Sequence, residues 1–332
     1  MSAARPAEVR IPEDKIIDGR VFPLTLTLPP EGAAPGAGAL LSFIAEDRSA
    51  LLKRAGEHGA VLLRDAGVET PLDFDAVVGA LDLETMPYIG GAAVRNRVVG
   101  DRVVTANESP PSEPIPFHHE MAQVPEPPDY VLFYCDVPAA SGGQTPIVLS
   151  NEAYRFVEAR FPAFLTRLEA HGVRYVRVLP EEDDPTSAIG RSWKSTYQVE
   201  AREEAEARMR ALGTSWEWLA SGDLKTTTKA LPAIRTDKRT GKKTFFNAMI
   251  AAYTGWIDAR NDPKKAVVLG DGSPVDHDAM MAIAAHLDQA SVAFPWKKGD
   301  VLIIDNHLTM HSRSPFTPPR RILASVMRAR RS

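Results

Sequence analysis

The run Pro116-Phe117-His118-His119-Glu120-Met121 sets a histidine and a carboxylate two residues apart in a segment that reads as a strand. Successive strand side chains point to opposite faces, so His118 and Glu120 would project together while His119 turns away. Both are metal-ligand types. A third ligand has to come from elsewhere, and the best donor is far downstream. There the apolar run Val301-Leu302-Ile303-Ile304-Asp305 leads through Asn306 into His307 and His311. These two histidines are four residues apart, and in a regular strand both would face the same side as Asp305. Two histidines and one carboxylate make a facial triad that leaves half of an iron's coordination sphere open. The same donors also make an open zinc site.

Next to these lie groups that suit an anion. Arg320 and Arg321 open the apolar run Ile322-Leu323-Ala324-Ser325-Val326-Met327. An arginine there is expensive to bury unless its planar fork meets a carboxylate. Adjacent strand residues face opposite ways, so only one of the pair can enter a shared site. In Ser141-Gly142-Gly143-Gln144-Thr145-Pro146 the glycines permit tight turns, and the Thr145 hydroxyl can donate to the same carboxylate. Metal, arginine and hydroxyl together describe a site for a dicarboxylate chelator.

Short strands and covering helices must position these groups. After residue 97, short apolar runs separated by Pro and Gly clusters predict strands over 97–105, 131–136, 173–178, 244–248, 301–305 and 322–327. That pattern suits a barrel or double sheet. Before it, helical spacing over 42–56, a buried strand over 60–64 and a Thr70-Pro71 helix start give helix, strand and helix. Residues 200–212 and 280–287 read as further helices. Residues 1–40, rich in Pro, Gly and Ala, read as an extended N-terminal segment, with a loop over 29–36. Residues 41–332 then form one domain with helical inserts.

Composition narrows the function classes. The chain has 332 residues, 44% hydrophobic and 25% charged, which is ordinary for a globular enzyme with one large core. A net charge of −4 offers no basic field for gripping nucleic acid. No apolar run is long enough for a signal peptide or a bilayer span, and the one cysteine, Cys135, lies in the apolar run 131–135 as a packed thiol. A cytoplasmic protein acting on a small molecule, without membrane or nucleic-acid partners, is the expectation, and a homo-oligomer is compatible with it.

The order Pro116-Phe117-His118-His119-Glu120, Gly142-Gly143-Gln144-Thr145-Pro146, Gly299-Asp300 to Asp305-Asn306, His311 and Pro319-Arg320-Arg321-Ile322-Leu323 resembles the taurine dioxygenase-like, clavaminate synthase-like family of iron(II) and 2-oxoglutarate-dependent oxygenases. The likeness covers most of the chain after residue 100 and is greatest to the plant clavaminate synthase-like proteins. It implies a mixed α and β fold built on a double-stranded β-helix (jelly roll) with flanking helices. It also implies Fe(II) held by His118, Glu120 and His311, with 2-oxoglutarate and O2 as cosubstrates. Arg321 and Thr145 would then bind the distal carboxylate of 2-oxoglutarate. In such enzymes, decarboxylation to succinate and CO2 drives oxidation of a substrate C–H bond. Hydroxylation is the default outcome, with desaturation and cyclisation as alternatives. Glu120 fills the position a halogenase leaves vacant, so halogenation is not expected. In taurine dioxygenase an arginine four residues past the cosubstrate arginine holds the sulfonate; here that position is Ser325, which makes taurine a poor substrate.

An amino acid or amino-acid derivative is the expected substrate. Asn107 and Glu108 lie in a proline-rich loop leading into the His118 strand, and Glu108 could hold an ammonium group. Asn247 stands among Phe246, Tyr253 and Trp256 in a stretch that mixes amides and aromatics as pockets do. The cationic Gly190-Arg191-Ser192-Trp193-Lys194 is a further candidate for a substrate carboxylate, and the acidic loop over 180–185 for a lid. The rivals are a zinc-dependent hydrolase, which has no use for a dicarboxylate pocket, and a non-catalytic metal- or ligand-binding protein of the same fold.

Overall fold

The computed structural model describes residues 5–28 and 37–330; the loop expected over 29–36 lies outside them. The centre is a nine-stranded sheet. Its main path runs Ala7–Val9, Leu24–Thr27, Ala60–Arg64, Val301–Asp305, Tyr130–Val137, Arg321–Arg328, Val103–Thr105 and Arg97–Val99. All neighbours on this path are antiparallel except Leu24–Thr27 with Ala60–Arg64. A three-stranded sheet of Ile147–Leu149, Thr309–Arg313 and Ile115–His118 carries the histidines. A four-stranded sheet holds Ser215–Trp218, Leu224–Thr227, Val173–Leu179 and Val267–Leu269.

Period-two alternation divides the core. In Tyr130–Val137, the side chains of Tyr130, Leu132 and Tyr134 pack outward with Leu40, Ile44 and Leu51 of helix Gly38–His58 and with Phe74 and Val77 of helix Pro71–Ala80. Val131, Phe133 and Cys135 face inward with Leu302, Ile304, Ile322 and Ala324. The neighbouring Arg321–Arg328 follows the same rule, with Leu323 and Met327 outward and Ile322, Ala324 and Val326 inward. Helix Pro71–Ala80 begins as the sequence suggests: Thr70 and Asp73 form a capping box with proline in the first turn.

Two expectations change. Packing begins well before residue 41, because Phe22, Leu24 and Leu26 are buried and Leu24–Thr27 is hydrogen-bonded into the main sheet. The run of Pro and Gly hid this strand, which is too short to show periodicity. The expected strand over 244–248 is only Lys243–Thr244, and helix Met249–Gly255 follows it. Its aromatics are buried against neighbouring helices, and a short apolar run does not tell the two structures apart.

Candidate metal and cosubstrate site

His118 and His311 come together because their strands pair antiparallel, with the two residues directly opposite in register. Their ring centroids are 4.4 Å apart. Strand Ile115–His118 ends at His118, and the chain turns through Met121, whose φ of +53° is left-handed, bringing Glu120 in from beyond the strand end. Ligand atoms of His118, Glu120 and His311 all lie within 4.8 Å of one another, and His311 Nε2 is 3.6 Å from Glu120 Oε2. His118 Nδ1 is 2.9 Å from the Pro116 carbonyl. A proton on Nδ1 leaves the Nε2 lone pair for a metal, so the donor set fits an octahedral ion with open positions.

The other two histidines are occupied elsewhere. His119 is fully buried, bonded to the Asn306 carbonyl at 2.6 Å and to Ser150 Oγ at 2.8 Å, and stacked on Phe246. His307 Nε2 meets Asp129 Oδ1 at 2.7 Å, outside the site.

The charge state of the triad suits a metal. Burial alone would push the Glu120 carboxyl up, but the Arg95 charge and the neighbouring His311 and His118 rings outweigh it, holding the group well below the usual carboxylate range. Burial, with the like charge of His311, lowers His118 to about 4, so it is a neutral ligand at ordinary pH.

Supporting residues carry no mark of their role in the sequence. Arg95, in an irregular polar stretch, donates from Nη2 to Glu120 Oε2 at 2.8 Å, with its guanidinium 4.2 Å from the Tyr88 ring centroid. Arg191 lies over the same ring at 5.1 Å and donates to the Tyr88, Gly91 and Ser195 carbonyls. The expected cationic loop at 190–194 is therefore spent on bracing the Tyr88 segment rather than on a substrate carboxylate. Asn306 grips the Glu120 backbone from both sides: its Oδ1 accepts from Glu120 N at 2.8 Å and its Nδ2 donates to Glu120 O at 3.1 Å.

One expected anion ligand has to be replaced. Arg321 sits in phase with outward-facing Leu323, emerges on the outer side of the sheet and pairs with Asp136 at 2.9 Å. Arg320 is in phase with inward-facing Ile322 and lines the cavity with His118, Glu120, His311, Thr145 and Arg313. A one-residue change of register reverses every strand side chain. The residue four beyond Arg320 is Ala324, which also offers no cation to a sulfonate.

Arg320 is held for a ligand. Its Nε donates to the Gly143 carbonyl at 2.9 Å. Gly142 and Gly143 both have positive φ, and a Cβ on Gly143 would stand 2.9 Å from Arg320 Cδ and Nε. Thr145 Oγ1 accepts from Trp296 Nε1 at 3.2 Å, so its own hydrogen is free to donate. Burial, then the like charge of Arg313, lowers Arg320 to about 10. Arg313 is lowered to about 10 by its own burial and is tethered to the carbonyls of Ser109, Pro110 and Glu113.

The expected substrate residues divide. Asn107 and Trp256 line the cavity. Glu108 lines a separate small recess with Asp183 and Ser187. Asn247 is buried away from the cavity; its Nδ2 donates to the Ala233 carbonyl and its Oδ1 accepts from Met249 N, so its task is to start the helix Met249–Gly255. In the acidic loop, Asp183 accepts from Ser192 N and Asp184 pairs with Arg260, which pins that stretch down.

The family model for taurine catabolism dioxygenases, TauD/TfdA, matches residues 21–327. The chain is 47% identical over 323 residues to a clavaminate synthase-like protein of Arabidopsis thaliana, covering 96% of this chain and 97% of that one. It is 26% identical over 282 residues to the dapdiamide synthesis protein DdaC of Enterobacter agglomerans, covering 82% of each. Among solved structures, PvcB from Pseudomonas aeruginosa matches with a TM-score of 0.52 at 16% identity, over 98% of this chain and 92% of that one. AAD-2, solved with Mn(II) and N-oxalylglycine, matches with a TM-score of 0.52 at 13% identity, over 98% of both chains. The structural likenesses establish a shared fold, a β-rich core within a mixed α and β protein. With the family model spanning almost the whole chain and the His118, Glu120 and His311 cluster in place, the protein belongs to the TauD/TfdA family and is a 2-oxoglutarate-dependent non-haem iron dioxygenase.

Proposed function

We propose that the protein oxidises, by hydroxylation, a C–H bond of a small amino acid or amino-acid derivative, releasing succinate and CO2, on a double-stranded β-helix (jelly roll) scaffold. The observation that carries this reading is the convergence on one cavity of His118, Glu120 and His311 with Arg320 and Thr145. Iron(II) bound by the three ligands supplies the activation of O2 and the one-electron steps that a side chain cannot. Arg320 and the Thr145 hydroxyl would hold the distal carboxylate of 2-oxoglutarate, leaving its 2-oxo acid end on the side of the cavity where His118, Glu120 and His311 converge. Arg95 keeps Glu120 ionised and oriented.

Phe133, Ile115, Ile189 and Ile322 give the cavity apolar walls that exclude water. Asn107 at the rim can donate to or accept from the substrate. The names of the relatives, clavaminate synthase-like and dapdiamide synthesis, support an amino-acid-derived substrate. No helix of the described residues is long and apolar enough to cross a membrane. The buried free thiol of Cys135 suits the reducing cytoplasm where we place the protein.

The test is an anaerobic titration of the iron(II)-loaded protein with 2-oxoglutarate, watching the visible charge-transfer band of a chelated 2-oxo acid. A saturable band, followed by succinate release that selected amino acids accelerate, is the expected result. Iron binding with no band would remove the cosubstrate and favour a hydrolytic or purely binding role. A band with no amino acid stimulating turnover would overturn the substrate class alone.

A further inference from the structure

Beside the iron cavity is a second buried space of about 40 Å3, and Gln123 and Trp256 line both. Val124 and Leu212 give part of its wall an apolar face, and polar groups gather on the rest. Arg177 comes from strand Val173–Leu179, Thr196 from helix Trp193–Tyr197, Thr226 from strand Leu224–Thr227, and Thr228 from just past that strand.

Arg177 is only 6% exposed. Its Nη2 donates to Thr196 Oγ1 at 3.2 Å, its guanidinium lies 5.6 Å from the Trp256 ring centroid, and its Nη1 is buried with no partner. Among the described residues no carboxylate forms an ion pair with it. Burial lowers Arg177 to about 10, with the like charge of Arg191 acting in the same sense, and the group is still a cation at neutral pH. A buried charge without a partner is costly.

The hydroxyls around it have hydrogens to spare. Thr196 Oγ1 accepts from Arg177, and Thr228 Oγ1 accepts from Tyr175 N at 3.0 Å, so each keeps its own O–H to donate. Only Thr226 spends its hydrogen on backbone, the Arg177 carbonyl at 3.1 Å. A water molecule fits the space but leaves the charge uncompensated. An anion answers both the charge and the excess of donors.

We propose that this cavity binds one small monovalent anion, of halide or formate size, held by Arg177 Nη1 and the hydroxyls of Thr196 and Thr228. Trp256 is a shared wall, so occupancy stiffens one side of the iron cavity without touching the metal. The site does not depend on the identity of the substrate.

Bromide is the probe. Crystals of the full chain soaked in bromide should show a bromine anomalous peak within hydrogen-bond distance of Arg177 Nη1. At equal ionic strength, the thermal midpoint should be roughly 2–5 °C higher in bromide than in gluconate, which is too large to enter. Arg177→Met should erase that difference. If formate stabilises more than bromide and shows density at the same place, a carboxylate is the natural occupant. No anomalous peak overturns the proposal. A peak with equal midpoints in bromide and gluconate marks an adventitious ion only, and overturns it as well. Should Arg177→Met fail to fold, the wild-type crystal and midpoints still decide.

Discussion

The two ends of the iron cavity are built on opposite electrostatic terms. At the metal end the one carboxylate, Glu120, is already paired with Arg95, and Asn306 grips its backbone, so the ligand set is braced before any ion arrives. At the other end Arg320 and Arg313 both line the cavity, among the described residues neither forms an ion pair with a carboxylate, and burial lowers both to about 10. One end is preorganised by internal partners and the other is held in want of an anion. Preorganisation gives the metal end its geometry at little cost in ordering, whereas on the proposed reading an anion held by Arg320 would add stability to the fold.

The sharpest way to break this comparison is at the metal end. His311→Ala should abolish iron(II) binding, whereas His307→Ala, which removes a partner of Asp129 and a ring stacked on Phe246, should retain it. Iron content after gel filtration reads the difference, and loss of metal in the His307 variant alone would mean the triad is wrongly drawn. At the other end, Arg320→Met should weaken 2-oxoglutarate binding by about 10- to 100-fold, since a charged hydrogen bond is worth about 1.5–3 kcal/mol. Arg321→Met should leave that affinity nearly unchanged, because its partner is Asp136 on the outer side. Equal losses in the charge-transfer titration would erase the distinction between the two faces.

Between these sits the brace. Asn306→Ala leaves the buried Glu120 backbone groups unpartnered and should cost about 1–3 kcal/mol of stability. Because the same residue orients a ligand, metal affinity should fall about 10- to 100-fold. Calorimetric titration with Mn(II) measures the second effect, and an unaltered affinity would confine Asn306 to the fold.

The smallest effect is the pH dependence of the metal-free protein. Burial lowers His118 to about 4 from an ordinary 6.5, and burial holds His119 well below 6.5 as well. The unfolded chain therefore takes up protons first as pH falls. Stability should be full above about pH 6.5 and decline toward pH 4. Urea midpoints across that range should slope downward with acid; a flat profile would show that these rings stay accessible to protons in the fold.

Much of the site could be read without coordinates, and the failures share a cause. The ligand types and their order were legible because metal chemistry restricts them to a few residues at short spacing. The choice of His118 over His119 followed from strand alternation near a strand end. The same alternation gave no way to choose between Arg320 and Arg321, because the phase of Arg321–Arg328 is set by which face of the sheet meets helices Gly38–His58 and Pro71–Ala80. Asn247 looked like a pocket amide from its aromatic neighbours, yet its Oδ1 is spent on the first N–H of helix Met249–Gly255 and its Nδ2 on the Ala233 carbonyl.

From the residues alone came the chemistry on offer, a two-histidine, one-carboxylate metal set with an arginine and a hydroxyl for a dicarboxylate, because donor identity is a local property. Tertiary structure alone decided which arginine faces inward, that Arg95 and Asn306 support Glu120, and that Arg191 serves a loop rather than a substrate. Those outcomes depend on which strands pair and which sheet face is covered. Such long-range packing is not encoded in the spacing of any one segment.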